Sequence, residues 1–228
     1  HYAAALNLPR AQSIIDQWVK DPRTNYHKWV AGFTGLEYKY AKNMNLGLAY
    51  GMGLEKMAHT LGLTVDECKP MWDMYHEKMP FIRGLSQKCS DAASSRGWVK
   101  TLSGRKRRFN LYGPRKYKAG DKPLAYDEAV KMYGPHVVKW FTYRASNAVV
   151  QGSAADILKR AMVTVFKNGL VPLASVHDEL LFSLELVNMN STVRKVKYIM
   201  ETHTVLKVPT PVDVAVGPSW GEAKEIAT

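Results

Sequence analysis

Two adjacent carboxylates, Asp178 and Glu179, lie between two apolar stretches at residues 171–176 and 180–184. The apolar stretches predict two β-strands joined by a tight charged turn. Strands hold their side chains firmly and a turn exposes them, and carboxylate oxygens are the ligands that Mg²⁺ prefers. The sequence therefore predicts a divalent-cation site at Asp178 and Glu179. A solvated turn without a ligand is the alternative.

A second group of residues that could take part in chemistry is spaced four positions apart. Lys42, Leu46 and Tyr50 lie within a helix predicted over residues 38–50, so they share one helical face. Such a face presents a cation, an apolar surface and an aromatic ring to a triphosphate, a base and a sugar. Lys42 would neutralise or protonate a departing pyrophosphate. An amphipathic core helix with a lysine reaching into solvent is the alternative.

A third group lies on a long predicted helix rich in alanine. Arg144 and Gln151 share a face with small residues, which allow close approach of a partner. Their side chains can donate to minor-groove acceptors, which are similar for all base pairs. A helix that packs tightly through its alanines is the alternative.

Charge narrows the class of partner. The chain has 228 residues, with 32 Lys and Arg against 20 Asp and Glu, for a net charge of +12. This favours a polyanionic partner, although a basic surface that serves solubility is an alternative and charge alone does not separate DNA, RNA, acidic lipid and acidic protein. No apolar run is long enough to span a bilayer, so we expect no membrane partner. The two cysteines lack zinc-site spacing, which favours a reduced cytoplasmic setting.

The elements that must position these residues follow from periodicity and turn residues. Alternation around Ser103-Gly104 predicts a β-hairpin with a basic end at residues 105–108, followed by a long exposed connection. We predict a helix from about Gly134 to residue 166 with a break near Gly152, and a last strand at 212–216. The fold class is α+β, a helical module followed by a module with an antiparallel sheet. The predicted shorter helices cover residues 11–20, a stretch after Asn25, 38–50, 54–61, 65–78 and 192–203.

Taken together and in order, these segments resemble the family A DNA polymerases. Residues 42–51 resemble the fingers-helix motif of that family, residues 144–162 its palm helix, residues 176–180 its third palm motif and residues 101–107 a family hairpin. The resemblance covers essentially the whole chain. It implies a right-hand polymerase fold with helical fingers over residues 1–95 and the C-terminal part of the antiparallel-sheet palm over residues 96–228. Neither a thumb nor an exonuclease domain is expected within this chain.

The resemblance also implies roles for individual residues. Asp178 and Glu179 would bind two Mg²⁺ ions, with Mn²⁺ as an alternative, and Lys42 would join them as a catalytic group that acts as general acid. His177 would contact the primer terminus. Nucleotide binding is expected at Lys39, Lys42, Leu46 and Tyr50, and DNA binding at His177, Arg144, Gln151, Asn147, Arg105 and Arg107.

Two positions depart from the family pattern. Leu46 stands where many relatives carry Phe or Tyr, so stacking and sugar discrimination are expected to differ. One turn before Lys42 the family often has Arg, whereas this chain has Tyr38, with Lys39 beside it as the candidate replacement.

One expected part is missing. Two-metal phosphoryl transfer needs carboxylates from separate elements, and the Asp-x-Ser-x-x-Glu-like motif that carries the other aspartate in family A does not occur here. We therefore expect the C-terminal portion of a DNA-directed DNA polymerase, inactive alone. An upstream portion or second chain would supply the first palm Asp, the thumb and an optional 3′-5′ exonuclease. Asp21, Asp66, Asp156 and Asp213 lack the motif context.

The expected partners are primer–template DNA and dNTPs, in the cytoplasm of a bacterial cell and with a phage gene as the source. Two alternatives remain at this point. One is a non-catalytic nucleic-acid-binding module derived from a polymerase, and the other is a fragment of a single-subunit RNA polymerase. Extension assays with dNTPs and rNTPs would separate them.

Overall fold

The computed structural model describes residues 1–226, which form helices and four short two-stranded antiparallel sheets. The chain divides into two compact units. The larger unit comprises Tyr2–Ile14 and Thr24–Gly152, and the smaller unit comprises His1, Ile15–Arg23 and the chain from Ser153 onward. Within residues 1–226 no helix combines the length and apolar character needed to cross a membrane.

Capping residues explain where several helices of the first half begin. The Asn25 side chain accepts a hydrogen bond from the Lys28 amide at 3.0 Å, and Thr64 and Glu67 form a reciprocal capping box. Pro80 at the start of a helix supplies a backbone angle already suited to it. The helices are α1 Tyr2–Ala5, α2 Ala11–Lys20, α3 Tyr26–Thr34, α4 Tyr38–Ala49, α5 Leu54–Leu61, α6 Val65–Lys78 and α7 Pro80–Arg96.

The first core of the larger unit lies among α3, α4, α5 and α6. Helix α4 buries one face, and the buried side chains pack against those of the neighbouring helices. Fully burying a Val, Leu or Met side chain stabilises the fold by about 1.5–3 kcal/mol. Because that face is committed to the core, the opposite face of α4 is left for solvent or a ligand. The core residues are Val30, Ala41, Met44, Leu48, Met57, Ala58, Cys68, Tyr75 and Met79.

The second core joins the basic hairpin to two helices. Strands β1 (Trp98–Lys100) and β2 (Lys106–Arg108) pair antiparallel in the register Trp98↔Arg108 and Lys100↔Lys106. Val99 and Phe109 are buried against residues of α7 and of α9 (Ala145–Lys167). The rest of the larger unit consists of β3 (Tyr112–Gly113), α8 (Tyr126–Tyr133), β4 (Val138–Lys139) and a 3-10 turn at Thr142–Arg144.

The smaller unit has fewer buried residues. Ala161, Val165 and Ile199 are buried, and His203 contacts the Ile157 carbonyl oxygen through Nε2 at 2.8 Å. Besides the end of α9, the unit contains β5 (Ala174–Val176), β6 (Glu179–Leu181), α10 (Met189–Thr202), β7 (Val214–Val216), a 3-10 turn at Trp220–Glu222 and β8 (Lys224–Ile226).

Several sequence expectations differ from this architecture. The break near Gly152 is absent, because α9 continues through that residue without interruption. The helix expected from Gly134 begins only at Ala145, after the 3-10 turn at Thr142–Arg144, since Gly134 has a positive φ and Pro135 follows it. The strands around Asp178 are shorter than predicted, and Pro172 cannot donate to a ladder there. Helices α7 and α8 and strand β8 had no predicted counterpart.

Candidate functional site

A cleft of about 590 Å³ lies in the larger unit, between the basic hairpin and the first turns of α9. Five residues predicted to bind DNA line this cleft, from two segments some forty residues apart in sequence: Arg105, Arg107, Arg144, Asn147 and Gln151. Such a concentration of guanidinium and amide groups suits a polyanion with hydrogen-bonding edges.

Arg144 is held in place by aromatic rings. Its guanidinium carbon lies 4.6 Å from the centre of the Phe141 ring and 5.4 Å from that of Tyr143. Its Nε also donates to the Tyr143 hydroxyl at 3.1 Å. These contacts fix the plane of the guanidinium, so less entropy is lost when it binds a ligand.

Phe141 makes this arrangement with an unusual backbone. Its φ is 61°, in the left-handed region that residues other than glycine rarely adopt. A bulky residue in this region costs on the order of 1–2 kcal/mol. The conformation places Phe141 at the N-terminal end of the turn that carries Arg144.

Arg105 joins the hairpin to α9. Its Nη2 donates to the Gly152 carbonyl oxygen at 3.0 Å. One turn earlier on α9, Asn147 lies in the cleft wall, and its Oδ1 is buried without a hydrogen-bond partner among the described residues. A buried acceptor without a donor costs the folded chain free energy.

The predicted nucleotide-binding residues lie along the outward face of α4. Lys39 and Lys42 are exposed, and Leu46 and Tyr50 are 41% and 38% exposed. Helix α4 is amphipathic, with its opposite face in the core and Lys42 in solvent, so the structure fits both nucleotide binding and the alternative of an amphipathic core helix. Tyr50 is the C-cap residue of α4.

The predicted metal residues lie in the smaller unit, at the turn between β5 and β6. Val176 pairs with Glu179, so His177 and Asp178 form a two-residue turn and Glu179 opens β6. All three predicted site residues of this turn are exposed. His177 has a φ of 54°, which a residue other than glycine adopts at a cost.

The donor set at this turn fits a hard cation. Asp178 and Glu179 supply carboxylate oxygens, and Mg²⁺ binds through one or two carboxylates while it keeps water and substrate phosphates. Within residues 1–226 no three His, Cys, Asp or Glu side chains converge on one point. The turn can therefore contribute part of a metal shell.

Some cleft residues were not among the predicted sites. Arg108 lies in the cleft and belongs to the basic run, so its type and position could have suggested it. Phe141 and Trp140 also line the cleft, and Trp140 donates from Nε1 to the Pro114 carbonyl oxygen at 3.1 Å. Only the tertiary structure brings this aromatic pair to Arg144, so no local pattern predicts it.

The sequence model described as DNA polymerase family A matches residues 29–222. The chain belongs to this family. The match to family A spans both α4 and the Asp178 turn, in agreement with the resemblance inferred from sequence. What each named residue does stays a prediction.

Individual relatives agree with the assignment of this chain to family A. A DNA-directed DNA polymerase of Pseudomonas phage M6 is 32% identical over 91% of the chain and 33% of its own length. The thermostable DNA polymerase I of Thermus aquaticus is 31% identical over 99% of the chain and 26% of its own length. The chain therefore spans about a third or less of these curated relatives.

A solved structure has the same fold as this family A chain. It is the polymerase domain of Pol1 from M. smegmatis, in complex with DNA primer-template and dNTP. The TM-score is 0.65 at 26% identity, over 86% of this chain and 34% of that one. The fold class is thus confirmed as part of an α+β polymerase fold.

Proposed function

We propose that this chain is the C-terminal fingers and palm portion of a DNA-directed DNA polymerase, which adds dNTPs to a primer 3′ end. The observation that carries the proposal is the cleft of the larger unit. Residues named for DNA binding from two separate sequence segments line one cavity there. Chance clustering of a generally basic surface would not select those positions together with the amides of Asn147 and Gln151.

The cleft would hold the primer–template duplex. Arg105 and Arg107 would contact phosphates, while Arg144 and Gln151 would donate to acceptors common to all base pairs in the minor groove. Asn147, which lines the cleft, would contribute its amide to the same groove contacts. Such contacts sense duplex shape more than sequence, as a polymerase requires.

The exposed face of α4 would take the incoming dNTP. Lys39 and Lys42 would neutralise the triphosphate, and Lys42 would donate a proton to the departing pyrophosphate. Tyr50, at the end of the helix, would contact the base and sugar. Leu46 offers an apolar surface without the ring that many relatives have, so stacking on the nucleotide would be weaker.

Asp178 and Glu179 would hold divalent cations, Mg²⁺ or Mn²⁺, together with the missing aspartate. When bound, two such ions would stabilise the charge that develops on the attacking and leaving oxygens. His177 would contact the primer terminus and help orient its 3′ hydroxyl. The two-residue turn places both carboxylates and the imidazole at three consecutive positions.

An upstream polymerase portion, in the same polypeptide or a second chain, would complete the palm. The β5–β6 sheet has only two strands in the described part of the chain, and isolated two-stranded hairpins are marginally stable. Unpaired strand edges of this kind accept a further strand. Several large apolar side chains of the smaller unit are also more than half exposed, namely Val163, Phe166, Val171, Leu173, Leu186, Val187, Tyr198 and Val205.

Primer extension tests the proposal. We expect the chain alone to be inactive, and synthesis to appear when it is combined with a polymerase portion that carries the first palm aspartate. Robust extension by the purified chain alone would refute the requirement. In the completed enzyme, Asp178→Ala should abolish extension while primer–template binding stays largely intact.

The same assay addresses the competing functions. A non-catalytic binding module would bind primer–template yet stay inactive with every upstream portion supplied. A single-subunit RNA polymerase fragment would incorporate rNTPs in preference to dNTPs. Near-normal extension by Asp178→Ala would count against the metal role of that residue.

A further inference from the structure

The hairpin presents a second cationic surface, which the cleft does not include. Three exposed cations surround the Trp98 ring, with the Arg96 guanidinium 4.2 Å, the Lys106 ammonium 4.6 Å and the Lys100 ammonium 5.2 Å from its centre. We call Arg96, Trp98, Lys100 and Lys106 the Trp98 face. The Trp98 face includes Lys106 of β2, whose neighbours in sequence, Arg105 and Arg107, line the cleft.

Strand geometry explains why basic side chains lie on both faces of the hairpin. Successive side chains of a strand point to opposite faces, so Lys106 points away from its neighbour Arg107. Val99, between Trp98 and Lys100, is buried in the core below the hairpin. Trp98 and Lys100 therefore share the outward face of β1.

The arrangement is unfavourable without an anion. Lys100 and Lys106 are direct cross-strand partners, and like charges at such positions destabilise a sheet. No carboxylate forms an ion pair with any of the three cations in residues 1–226. The negative face of the indole offsets part of the repulsion, by on the order of 1 kcal/mol per cation at an exposed site.

The indole also determines what kind of ligand fits. Cations already lie against its ring, and Arg96 is further fixed by donation from Nε to the Trp98 carbonyl oxygen at 3.0 Å. A base would have to displace them in order to stack. The preorganised cations instead suit phosphates, in a contact that does not depend on base identity.

We infer that the Trp98 face binds the backbone of single-stranded DNA outside the duplex cleft. The choice of DNA rests on the proposed function, because Arg105 and Arg107 of the same hairpin line the duplex cleft. A duplex in that cleft leaves single-stranded template as the DNA that remains to be held. The Trp98 face thus extends the binding site around the hairpin.

Fluorescence anisotropy with the full chain tests this inference. The probes are a labelled single-stranded oligonucleotide and a blunt duplex, each titrated over a range of salt concentrations. The variant K100Q/K106Q removes two cations of the Trp98 face. The matched control K56Q/K78Q removes two exposed lysines from α5 and α6.

We expect K100Q/K106Q to weaken single-strand binding by about tenfold at low salt, and to lower the salt slope by about 1.4, or 0.7 per lost phosphate contact. Duplex binding should change by less than about twofold. Trp98→Phe should retain most single-strand affinity and Trp98→Leu should lose part of it, because only the former keeps an aromatic face.

Two results would overturn the inference. One is a loss for K100Q/K106Q no greater than that for K56Q/K78Q, and the other is an equal loss of duplex binding. Arg144→Gln separates this test from that of the proposed function. This variant should weaken duplex binding and leave single-strand binding at the Trp98 face unchanged. An unchanged duplex affinity would count against the duplex cleft but not against the Trp98 face.

Discussion

Arg105 of the basic hairpin donates to the carbonyl oxygen of Gly152 in α9, at 3.0 Å. This contact is close because Gly152 has no side chain. A Cβ at that position would lie 2.8 Å from Thr101 Cγ2 and 3.2 Å from Arg105 Nη2. Thr101 is buried and β-branched, so it has little freedom to move aside. The glycine therefore sets the approach of the hairpin to the helix and with it the shape of the cleft.

Gly152→Ala should destabilise the chain, although alanine is the better helix former. The helix preference of alanine gains about 1 kcal/mol, whereas overpacking against Thr101 costs about 1–3 kcal/mol. We expect a net loss of about 1 kcal/mol in the free energy of unfolding, measured by urea denaturation, and weaker duplex binding.

Gly32 provides the matched control. It lies within α3, and a Cβ there would meet no atom within 4 Å. Gly32→Ala should therefore stabilise the chain by about 0.5–1 kcal/mol. If both variants were stabilised equally, the hairpin would not be held against Gly152 as described.

Residue chemistry predicted most of the candidate site, because its signals are local. The four-residue spacing of Lys42, Leu46 and Tyr50 follows from helix geometry, and all three side chains are exposed. The alternation around Ser103-Gly104 likewise predicted the hairpin that carries the basic residues after Gly104. The helix expected after Asn25 begins at Tyr26.

Features that depend on tertiary contacts could not be predicted from local sequence patterns. Gly152 suggested a helix break, since glycine lowers helix propensity, but packing against Thr101 explains its presence inside α9. The left-handed φ of Phe141 and its contact with Arg144 depend on the fold around them. The helix at Pro80–Arg96 had no predicted counterpart, although its proline start and glycine end are local signals of a helix.

Asn45 links three helices of the larger unit through a buried polar network. Its Oδ1 accepts from the Tyr75 hydroxyl at 2.8 Å, and its Nδ2 lies 3.0 Å from His27 Nδ1. Because Oδ1 is the acceptor from Tyr75, Nδ2 donates to His27, whose Nδ1 is then unprotonated. Burial, followed by the nearby charge of Lys42, holds the pKa of His27 below its usual value, which agrees with a neutral ring.

Asn45→Leu should cost about 2–4 kcal/mol of unfolding free energy in urea denaturation, because it leaves both partners without a hydrogen bond. Tyr75→Phe removes one of those orphaned groups. The double variant should therefore lose about 1 kcal/mol less than the sum of the single losses. Asn43 on the exposed side of α4 is the control, and Asn43→Leu should change stability by at most about 0.5 kcal/mol. Strict additivity of Asn45→Leu and Tyr75→Phe would contradict the network.

His76 gives the larger unit a further dependence on pH. Both ring nitrogens are buried without a hydrogen-bond partner among the described residues, and the ring contacts Trp72 and Tyr75 at centroid distances of 4.5 and 5.5 Å. Burial is the main cause that lowers the pKa of His76 below 6.5, with a smaller contribution from Arg83 and an opposing one from Asp73. The folded chain therefore keeps this ring neutral at a pH where the unfolded chain protonates it.

The sign of the effect follows from proton linkage. Above about pH 6.5 the ring is neutral in both states, so His76 costs no stability there. As the pH falls below 6.5, the unfolded state binds a proton first and stability decreases until the lowered folded pKa is reached. We expect a smaller urea-unfolding free energy at about pH 5.5 than at about pH 7.5, a window above the usual carboxylate range. His76→Phe should reduce that difference, with His27 left as a second contributor. A difference unchanged by His76→Phe would assign the acid sensitivity to other groups, because phenylalanine preserves the ring contacts and cannot titrate.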